Sequence, residues 1–480
     1  MLSKIKISLF SKVVPLSHLF FFSSKIDKSE GDVNISSLRK EFVSTLDEDV
    51  LELLKEDSKY FLHQSLSTPC LSALKSCSGS KLKEAGTGGF QYLDFHGNSV
   101  HQVGYRNKYI IHAIKKQMTK LPFSPRRYTN KPAIKLAKKL VESTDKELTR
   151  VLFCPGGTSA IGIALKLARV ATGRYKTISL WDSFHGASLD AISVGGEAMF
   201  RKNIGPLLPG SEHVPPCDPY RCIYGCGGKC SLKCADYVEY IMEKEKDIAA
   251  FIAEPIRWTP YAPPKEYWKR IRKICDKYGA KLILDEIPNS LGRNGETLFT
   301  YQMYDIVPDI LVLGKGLGGG ILPLAAVLCK EEFNKKAKKI ALGHYTHEKN
   351  PVLCAAGLAT LKYIKKKELI SKAKEDGKYL MEKLNELKKK YQIIGDIRGQ
   401  GLLVGIELIA DKEYKKRGTK EAEKMLYKCL KKGLSFKLTM GNIITLCPPL
   451  NITREDLDKA IDILDGCFQE VCLEIKEGGI

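Results

Sequence analysis

Residues 309–320 read DILVLGKGLGGG, a short apolar run that delivers a lysine into a series of glycines. The run 309–313 has the length and composition of a buried β-strand, and the glycines mark its end. A lysine amine in this position is partly removed from water, which lowers its pKa and frees it for Schiff-base chemistry. A lysine on a flexible surface turn is the alternative, but surface turns seldom follow so apolar a strand. Lys315 is therefore the predicted catalytic residue.

Four further apolar runs have the character of buried strands. Turn residues and then a helix-like segment come after each of them. This alternation is typical of an α/β protein with a mostly parallel sheet covered by helices on both faces. The four runs are residues 150–154, 177–181, 249–253 and 281–285.

The C-terminal part of the chain has a different pattern. Long charged helices precede strand-like pieces at 398–409 and near 443–446, and a final helix starts at Arg454. Such a pattern suits a smaller α+β domain, and 480 residues are enough for one large and one small domain. The predicted division is an N-terminal extension over 1–57, parts of the small domain over 58–105 and 351–480, and a large cofactor-binding domain over 106–350.

Charge and cysteine content narrow the functional classes. The formal net charge of +22 suits nucleic acid, a membrane surface or anionic small molecules. Most lysines lie on amphipathic helices, however, and no nucleic-acid recognition motif accompanies them, so we expect neither nucleic acid nor membrane as a partner. Fifteen cysteines without a repeating framework favour reduced thiols over disulfides.

The first 25 residues contain lysines, serines and a short apolar stretch, but no acidic residue. This composition is typical of a removable targeting peptide, although a disordered cytosolic extension fits equally. The apolar stretch is interrupted by Pro15 and His18 and is too short to span a bilayer. The expected location is the cytoplasm or an organellar matrix.

PGGTSA at residues 155–160 follows the first of the strand-like runs and opens an amphipathic helix. Glycines let the backbone approach a ligand closely, and a helix N-terminus offers free N–H groups with a partial positive charge. Together they predict a phosphate site. The alternative is an ordinary tight turn in which Thr158 or Ser159 caps the helix.

Two more strand ends carry side chains suited to a planar ring. Asp285 ends an apolar strand, and a buried acid needs a partner, such as the nitrogen of a protonated pyridine or a lysine in a salt bridge. The string WDSFHG at 181–186 ends another strand with aromatic residues, which stack on a ring or simply join the core.

Seven strings, in this order, resemble those of class III pyridoxal-phosphate aminotransferases over roughly residues 60–468. The resemblance implies the type I fold of pyridoxal-phosphate-dependent transferases, pyridoxal 5'-phosphate as cofactor, and a homodimer with its active sites at the interface. The strings are GGTSA, FHG, AEP, DEI, GRNG, LGKGLGGG and GHYTHEKNP.

The resemblance also implies roles for single residues. Lys315 would hold the C4' atom of the cofactor as a Schiff base, and Asp285 would pair with the ring nitrogen. Thr346 matches the threonine that reaches the phosphate from the partner subunit. The remaining cofactor-binding residues are Gly157 and Thr158 at the phosphate, Phe184 and Ile287 on the two faces of the ring, and His185.

Departures from the family pattern concern the substrate. Pro288 stands where a glutamine that contacts the ring hydroxyl is expected. Thr259 and Thr445 stand where members that bind α-carboxylates commonly place a glutamate and an arginine. We therefore expect that the charged pair that lets one site accept two amino acids is missing, which weakens a transaminase interpretation.

Longer strings look like the (R)-1-hydroxy-2-aminoethylphosphonate ammonia-lyase branch of this family. That resemblance implies a substrate with an amine, a neighbouring hydroxyl and a phosphonate, giving phosphonoacetaldehyde and ammonia. An ω-aminotransferase, a phospho-lyase on phosphoethanolamine-like amines, and a basic binding protein on a disused enzyme fold are the alternatives. The strings include YLDFHGNSVHQVGY at 92–105, FSPRRYTN at 123–130 and DPYRC at 218–222.

The lyase chemistry needs a base, an acid and an anion site. Lys315 would remove the proton from the amine-bearing carbon. Hydroxide is a poor leaving group, so a proton donor or metal is needed, and His185 and His347 are candidates that the sequence does not rank. Arg126 and Arg127 are the best-placed pair for the phosphonate by resemblance, and a surface basic pair is the alternative.

Five cysteines crowd into residues 217–234 with glycines between them. Their density suggests zinc, but the gaps of four, three, three and three residues lack the usual two-residue knuckle. Free thiols in a segment that covers the substrate are the favoured interpretation, so we expect no metal. The cysteines are Cys217, Cys222, Cys226, Cys230 and Cys234, the last four being the candidate ligands.

Overall fold

The structure is a computed structural model that describes residues 36–64, 69–226 and 230–478. The helices are α1 (Ser37–Val43), α2 (Glu48–Tyr60), α3 (Lys108–Lys120), α4 (Lys131–Ser143), α5 (Gly157–Thr172), α6 (Leu189–Val194), α7 (Ala198–Arg201), α8 (Lys233–Glu245), α9 (Lys265–Tyr278), α10 (Glu331–Ala337), α11 (Pro351–Lys366), α12 (Leu369–Lys390), α13 (Thr419–Lys431) and α14 (Arg454–Gly478). The strands are β1 (Leu74–Ser78), β2 (Lys81–Glu84), β3 (Gln91–Asp94), β4 (Leu148–Cys154), β5 (Lys176–Leu180), β6 (Ser211–Val214), β7 (Ile248–Ala253), β8 (Lys281–Asp285), β9 (Ile310–Leu313), β10 (Ala325–Lys330), β11 (Ile394–Gln400), β12 (Leu403–Leu408), β13 (Leu434–Ser435), β14 (Lys437–Thr439) and β15 (Ile443–Leu446).

A seven-stranded sheet forms the centre of the molecule, in the order β4-β10-β9-β8-β7-β5-β6. Every neighbouring pair is parallel except the two that involve β10, which runs antiparallel to β4 and to β9. The predicted α/β class with a mostly parallel sheet is confirmed. The five strands predicted for it end within two residues of their predicted bounds.

The central strands are apolar because both of their faces are covered. All six residues of β7 and all four of β9 are buried, as expected of parallel strands between two helical layers. Because β10 runs antiparallel to both of its neighbours, β4 and β9 point in the same direction. The carboxyl ends of β4, β5, β7, β8 and β9 therefore meet at one edge of the sheet, where ligands of open α/β sheets bind.

Two smaller sheets lie outside the central one, in the orders β1-β2-β3-β13 and β11-β12-β15-β14. The short strand β13 pairs in parallel with β3, so the first sheet joins the two ends of the chain. Strands β15 and β12 and helix α14 lie where sequence patterns predict them. This part has the predicted α+β character, whereas the exact domain boundaries stay a prediction.

No helix in the described ranges is both long enough and apolar enough to cross a bilayer. The first 35 residues lie outside the described part of the chain. The targeting peptide therefore stays a prediction.

Candidate active site

A cavity of about 370 Å³ opens at the carboxyl edge of the central sheet. Its walls come from the turns after β4, β5, β7, β8 and β9 and from β14 of the smaller sheet. Seven of the residues predicted to bind the cofactor line it. They are Gly157, Thr158, Phe184, His185, Asp285, Ile287 and Lys315.

Lys315 lies two residues after the end of β9 and is half-buried in the wall of the cavity. Its amine sits 5.3 Å from the centre of the Trp258 ring. Burial, reinforced by the charge of Lys437, lowers the pKa of Lys315. Its backbone adopts a left-handed conformation, with φ of 43°, which costs a residue other than glycine of order 1–3 kcal/mol and is found mainly at functional sites. The amine is thus held in a conformation and a medium that favour its neutral, nucleophilic form.

Asp285 ends β8 and forms a buried pair with His185. The Nδ1 atom of His185 lies 2.8 Å from Oδ2 of Asp285, and the backbone N–H of Ile287 donates to Oδ1 at 3.1 Å. Burial by itself lowers the pKa of His185, but the bond to Asp285 and its charge outweigh burial and raise it. The other ring nitrogen, Nε2, is buried and has no hydrogen-bond partner among the described residues. The pair therefore places a hydrogen-bonded carboxyl group at the floor of the cavity.

The first turn of α5 forms the opposite end of the cavity. Its N-cap is Gly156, which offers no side chain, so neither Thr158 nor Ser159 is the cap. Thr158 Oγ1 instead lies 2.8 Å from Ser188 Oγ. A Cβ atom on Gly157 would come within 2.8 Å of the Ile287 Cδ1 atom, so a larger residue here would displace the end of the Ile287 side chain. The free N–H groups of the turn suit a phosphate.

Three residues in the cavity escaped sequence reasoning as functional groups. Glu254 follows β7 in the string AEP, and burial raises its pKa to about 7. Burial, together with the charge of Lys437, lowers the pKa of His96 to about 3. The sequence did carry a signal for Glu254, since it ends a buried strand as Asp285 does. Lys437 and His96 come from the smaller sheets, which only the tertiary structure brings here.

Thr259 and Thr445 shape one wall. Thr259 lines the cavity, and its buried hydroxyl has no hydrogen-bond partner among the described residues. Thr445 hydrogen-bonds Thr439, which lines the cavity. Two of the described lining residues are lysines and none is an arginine. The nearby Arg398 donates to the Thr259 carbonyl at 2.8 Å, but its charge is neutralised by ion pairs to Glu407 and Asp396.

Four predicted residues lie elsewhere. Thr346, Arg126, Arg127 and His347 are exposed and do not line the cavity of their own chain. Of the two histidines named as candidate proton donors, His185 lines the cavity of its own chain and His347 does not. Nothing in the sequence separated His347 from His185, which does line the cavity.

The two loops that carry those four residues pack on each other. Asn130 donates to the Lys349 carbonyl at 2.8 Å, and the Phe123 and His347 rings are 5.5 Å apart, edge to face. Thr346, Arg126 and Arg127 consequently share one outer surface, which we call the paired-loop surface (residues 122–130 and 343–350).

Comparison with known proteins decides the family. The model of the class III aminotransferases matches residues 65–468. The chain belongs to the class III aminotransferase family. The residues of the cavity fit the cofactor of the family, because an uncapped helix N-terminus, a buried carboxylate and a buried lysine amine surround one space of suitable size. This class III protein is therefore a pyridoxal 5'-phosphate enzyme of type I fold.

Relatives of this class III protein differ in activity. It is 49% identical, over 94% of its length and 96% of the relative's, to an (R)-1-hydroxy-2-aminoethylphosphonate ammonia-lyase from Vibrio splendidus. It is 34% identical, over 79% and 87% of the two chains, to a leucine/methionine racemase from Thermococcus litoralis. An acetylornithine aminotransferase from Caldanaerobacter subterraneus is also 34% identical, over 80% and 91%.

Solved structures share the fold of this class III protein. A Bacillus anthracis aminotransferase superposes with a TM-score of 0.79 at 32% identity, over 87% of this chain and 98% of the other. An amine transaminase from an uncultivated Pseudomonas species, in its PLP-bound form, gives a TM-score of 0.80 at 27% identity, over 86% and 99%.

Proposed function

We propose that the chain is a pyridoxal-phosphate-dependent ammonia-lyase for an amino-hydroxy phosphonate such as (R)-1-hydroxy-2-aminoethylphosphonate, which it converts to phosphonoacetaldehyde and ammonia. The observation that carries the proposal is the cavity wall, where Thr259 and the Thr439–Thr445 pair occupy the place at which the family commonly binds an α-carboxylate. The 49% identity to a relative of that name supports it.

A transaminase must admit a second substrate after the first one leaves. That substrate is usually an α-keto acid, whose carboxylate needs a cation. Threonines supply none, and Arg398 is already paired with two carboxylates. A lyase needs no second substrate. An ω-aminotransferase and a phospho-lyase remain the competing activities, and the racemases among the relatives show that this fold serves several reactions.

Bound pyridoxal phosphate withdraws electrons from the carbon that carries the substrate amine. Lys315, whose pKa is lowered, is the base that takes a proton from that carbon. The hydroxyl on the next carbon then leaves with a proton as water. One water is consumed when the resulting enamine hydrolyses to aldehyde and ammonia, so substrate atoms equal product atoms.

Glu254 is a suitable donor of the proton that the leaving hydroxyl needs. It lines the cavity, and its pKa of about 7 keeps much of it protonated near neutral pH. Pro288 stands where the family pattern has a glutamine, so this part of the cavity lacks the side chain of that glutamine. His185 is held by Asp285 and is better suited to fixing that carboxylate than to donating.

Glu254 acting as an acid gives a pH dependence. Because the protonated form is required, kcat should fall above pH 7 by about tenfold per pH unit. Glu254→Gln should lower kcat and abolish its fall above pH 7, since an amide does not titrate. Glu254→Asp keeps an acid and should shift the pH at which kcat falls. If kcat of Glu254→Gln, measured by ammonia release from pH 5 to 9, depends on pH as in the wild type, another group donates the proton.

The substrate phosphonate needs cations at the mouth of the cavity. Lys437 is one, on the same chain. We propose that Arg126 and Arg127 are others and come from the paired-loop surface of a second subunit, together with Thr346. This accounts for exposed apolar rings beside them, since Phe123 and Tyr128 are 38% and 66% exposed in the single chain. A homodimer is thus part of the proposed function.

Reaction type is tested by omitting an amino acceptor. Purified holoenzyme with the hydroxy phosphonate amine should release ammonia and aldehyde in equal amounts without any keto acid. If turnover requires pyruvate or 2-oxoglutarate, and alanine or glutamate forms in an amount equal to the substrate consumed, the protein is an aminotransferase. Release of inorganic phosphate from phosphoethanolamine would establish the phospho-lyase.

Loss of either arginine should weaken substrate binding. Arg126→Ala or Arg127→Ala is expected to raise KM by a factor that corresponds to about 1.5 to 3 kcal/mol, the range for hydrogen bonds to charged groups. Arg270→Ala is the matched control, because Arg270 is an exposed arginine on α9 that pairs with Asp236 and Glu239. Its KM should not change. If all three variants raise KM by the same factor, Arg126 and Arg127 do not contact the phosphonate.

A further inference from the structure

Five cysteines converge in the segment that joins β6 to α8, outside the cavity. Cys217 and Cys234 are buried, and Cys222, Cys226 and Cys230 are half-buried. None of the five lines the cavity, so the proposed reaction does not use them. All fifteen cysteines of the chain fall within the described residues and are free thiols.

Three of the sulfurs have the spacing of metal ligands. The Sγ atoms of Cys217, Cys230 and Cys234 all lie within 4.8 Å of one another. Those of Cys217 and Cys230 are 3.6 Å apart. Four thiolates around zinc at about 2.3 Å form a tetrahedron with edges of about 3.8 Å. The three sulfurs thus stand near the corners that a tetrahedral site requires.

Cys226 is the candidate for the fourth corner, because it contacts the residue that follows Cys230. Its sulfur lies 3.1 Å from the Ser231 hydroxyl and accepts the Ser231 backbone N–H at 3.5 Å. It is not one of the three sulfurs that all lie within 4.8 Å of one another, so a bound ion would draw it towards them. Backbone N–H donation to sulfur favours the thiolate, the form that binds a metal. Cys222 lies 3.2 Å from Cys226 and extends the network on its outer side.

We propose that Cys217, Cys226, Cys230 and Cys234 bind one structural zinc ion. Binding replaces four S–H protons, which pass to solvent, and changes no oxidation state. Four soft thiolates in tetrahedral array select zinc over the harder divalent ions. With four protein ligands the site has no open position for substrate, so its role is structural. This proposal departs from the expectation of free thiols drawn from the sequence, and its ligand set contains Cys217 in place of Cys222.

The zinc would anchor a segment that supports the cavity wall. Asp218, next to Cys217, accepts the backbone N–H groups of Tyr220 and Arg221. Arg221 forms an ion pair with the fully buried Glu407, whose other oxygen lies 2.7 Å from Arg398.

Arg398 in turn holds the carbonyl of Thr259, a residue of the cavity wall. The contacts thus run without a break from the cysteines to the cavity. Loss of zinc is expected to loosen this wall and to lower thermal stability.

The test is the metal content of the full-length holoenzyme, purified without an affinity tag that binds metals. Elemental analysis should find about one zinc per chain. Cys234→Ser and Cys217→Ser should lose it. Cys222→Ser, inside the segment, and Cys275→Ser, a buried cysteine on α9, should keep it. Loss of zinc from Cys222→Ser to the same extent as from Cys234→Ser would overturn the ligand set.

A second measurement needs no variant. Cobalt(II) added to reduced, metal-free protein should give the red-region absorption of tetrahedral thiolate coordination, where pyridoxal phosphate does not absorb, and zinc should displace it. Failure to bind either ion would overturn the proposal. So would a disulfide between any two of the four proposed ligands, located by peptide mapping of the alkylated, unreduced protein.

Discussion

Replacing Lys315 by alanine is expected to lower kcat by more than about 10²- to 10⁴-fold. That range is typical of the loss of a general base, and the same amine is also expected to be the covalent anchor of the cofactor. Its pKa is lowered, so its neutral amine is a stronger base than the water that would take its place in the variant. Ammonia release under saturating substrate is the measurement.

Controls for Lys315→Ala separate chemistry from folding. Lys378→Ala removes a lysine that is 81% exposed on α12 and should leave kcat unchanged. Circular dichroism and thermal melting should show that Lys315→Ala is folded. Turnover at the wild-type rate in a folded Lys315→Ala protein would contradict the catalytic assignment.

Replacing Asp285 by alanine is expected to leave the fold intact but to raise the dissociation constant of the cofactor. Asp285 is buried and lines the cavity, and the family resemblance predicts that it pairs with the ring nitrogen of the cofactor. A hydrogen bond to a charged group contributes about 1.5–3 kcal/mol, which corresponds to a roughly 10- to 150-fold weaker cofactor. The rate should also fall, since an unprotonated ring withdraws electrons less well. Spectroscopic titration of cofactor-free protein measures this constant.

Asp285→Asn is the matched control for charge. It keeps the volume and the hydrogen bond from the Ile287 backbone, but it removes the negative charge that raises the pKa of His185. Asp285→Asn should therefore bind the cofactor nearly as weakly as Asp285→Ala. Cofactor retention and rate that match wild type in both variants would remove Asp285 from the site.

The sequence predicted the strand ends well because each is a local pattern. Apolar runs such as β8 and β9 are continuous in the chain, and the residue after each run is fixed to the same sheet edge once the strands are parallel. Lys315, Asp285 and the first turn of α5 could be placed this way, and so could Glu254, whose strand-end position went unused.

Residues that come from distant parts of the chain could not be placed. Lys437 and His96 reach the cavity only because the C-terminal strands fold back beside β3. His185 and His347 look alike in sequence, and only burial separates them. The cysteine spacing also did not show that Cys217 and Cys230, thirteen residues apart, bring their sulfurs to 3.6 Å.

The sequence by itself determined the family, the cofactor and the residues that lie directly after its parallel strands. These follow from hydrophobic period and from short strings whose members are neighbours along the chain. Only the tertiary structure decided which cations line the cavity, that Arg126, Arg127 and Thr346 share one outer surface, and which sulfurs converge. The physical reason is that these groups are brought together by the burial of apolar surface elsewhere in the chain. Their spacing along the sequence therefore does not predict that they meet.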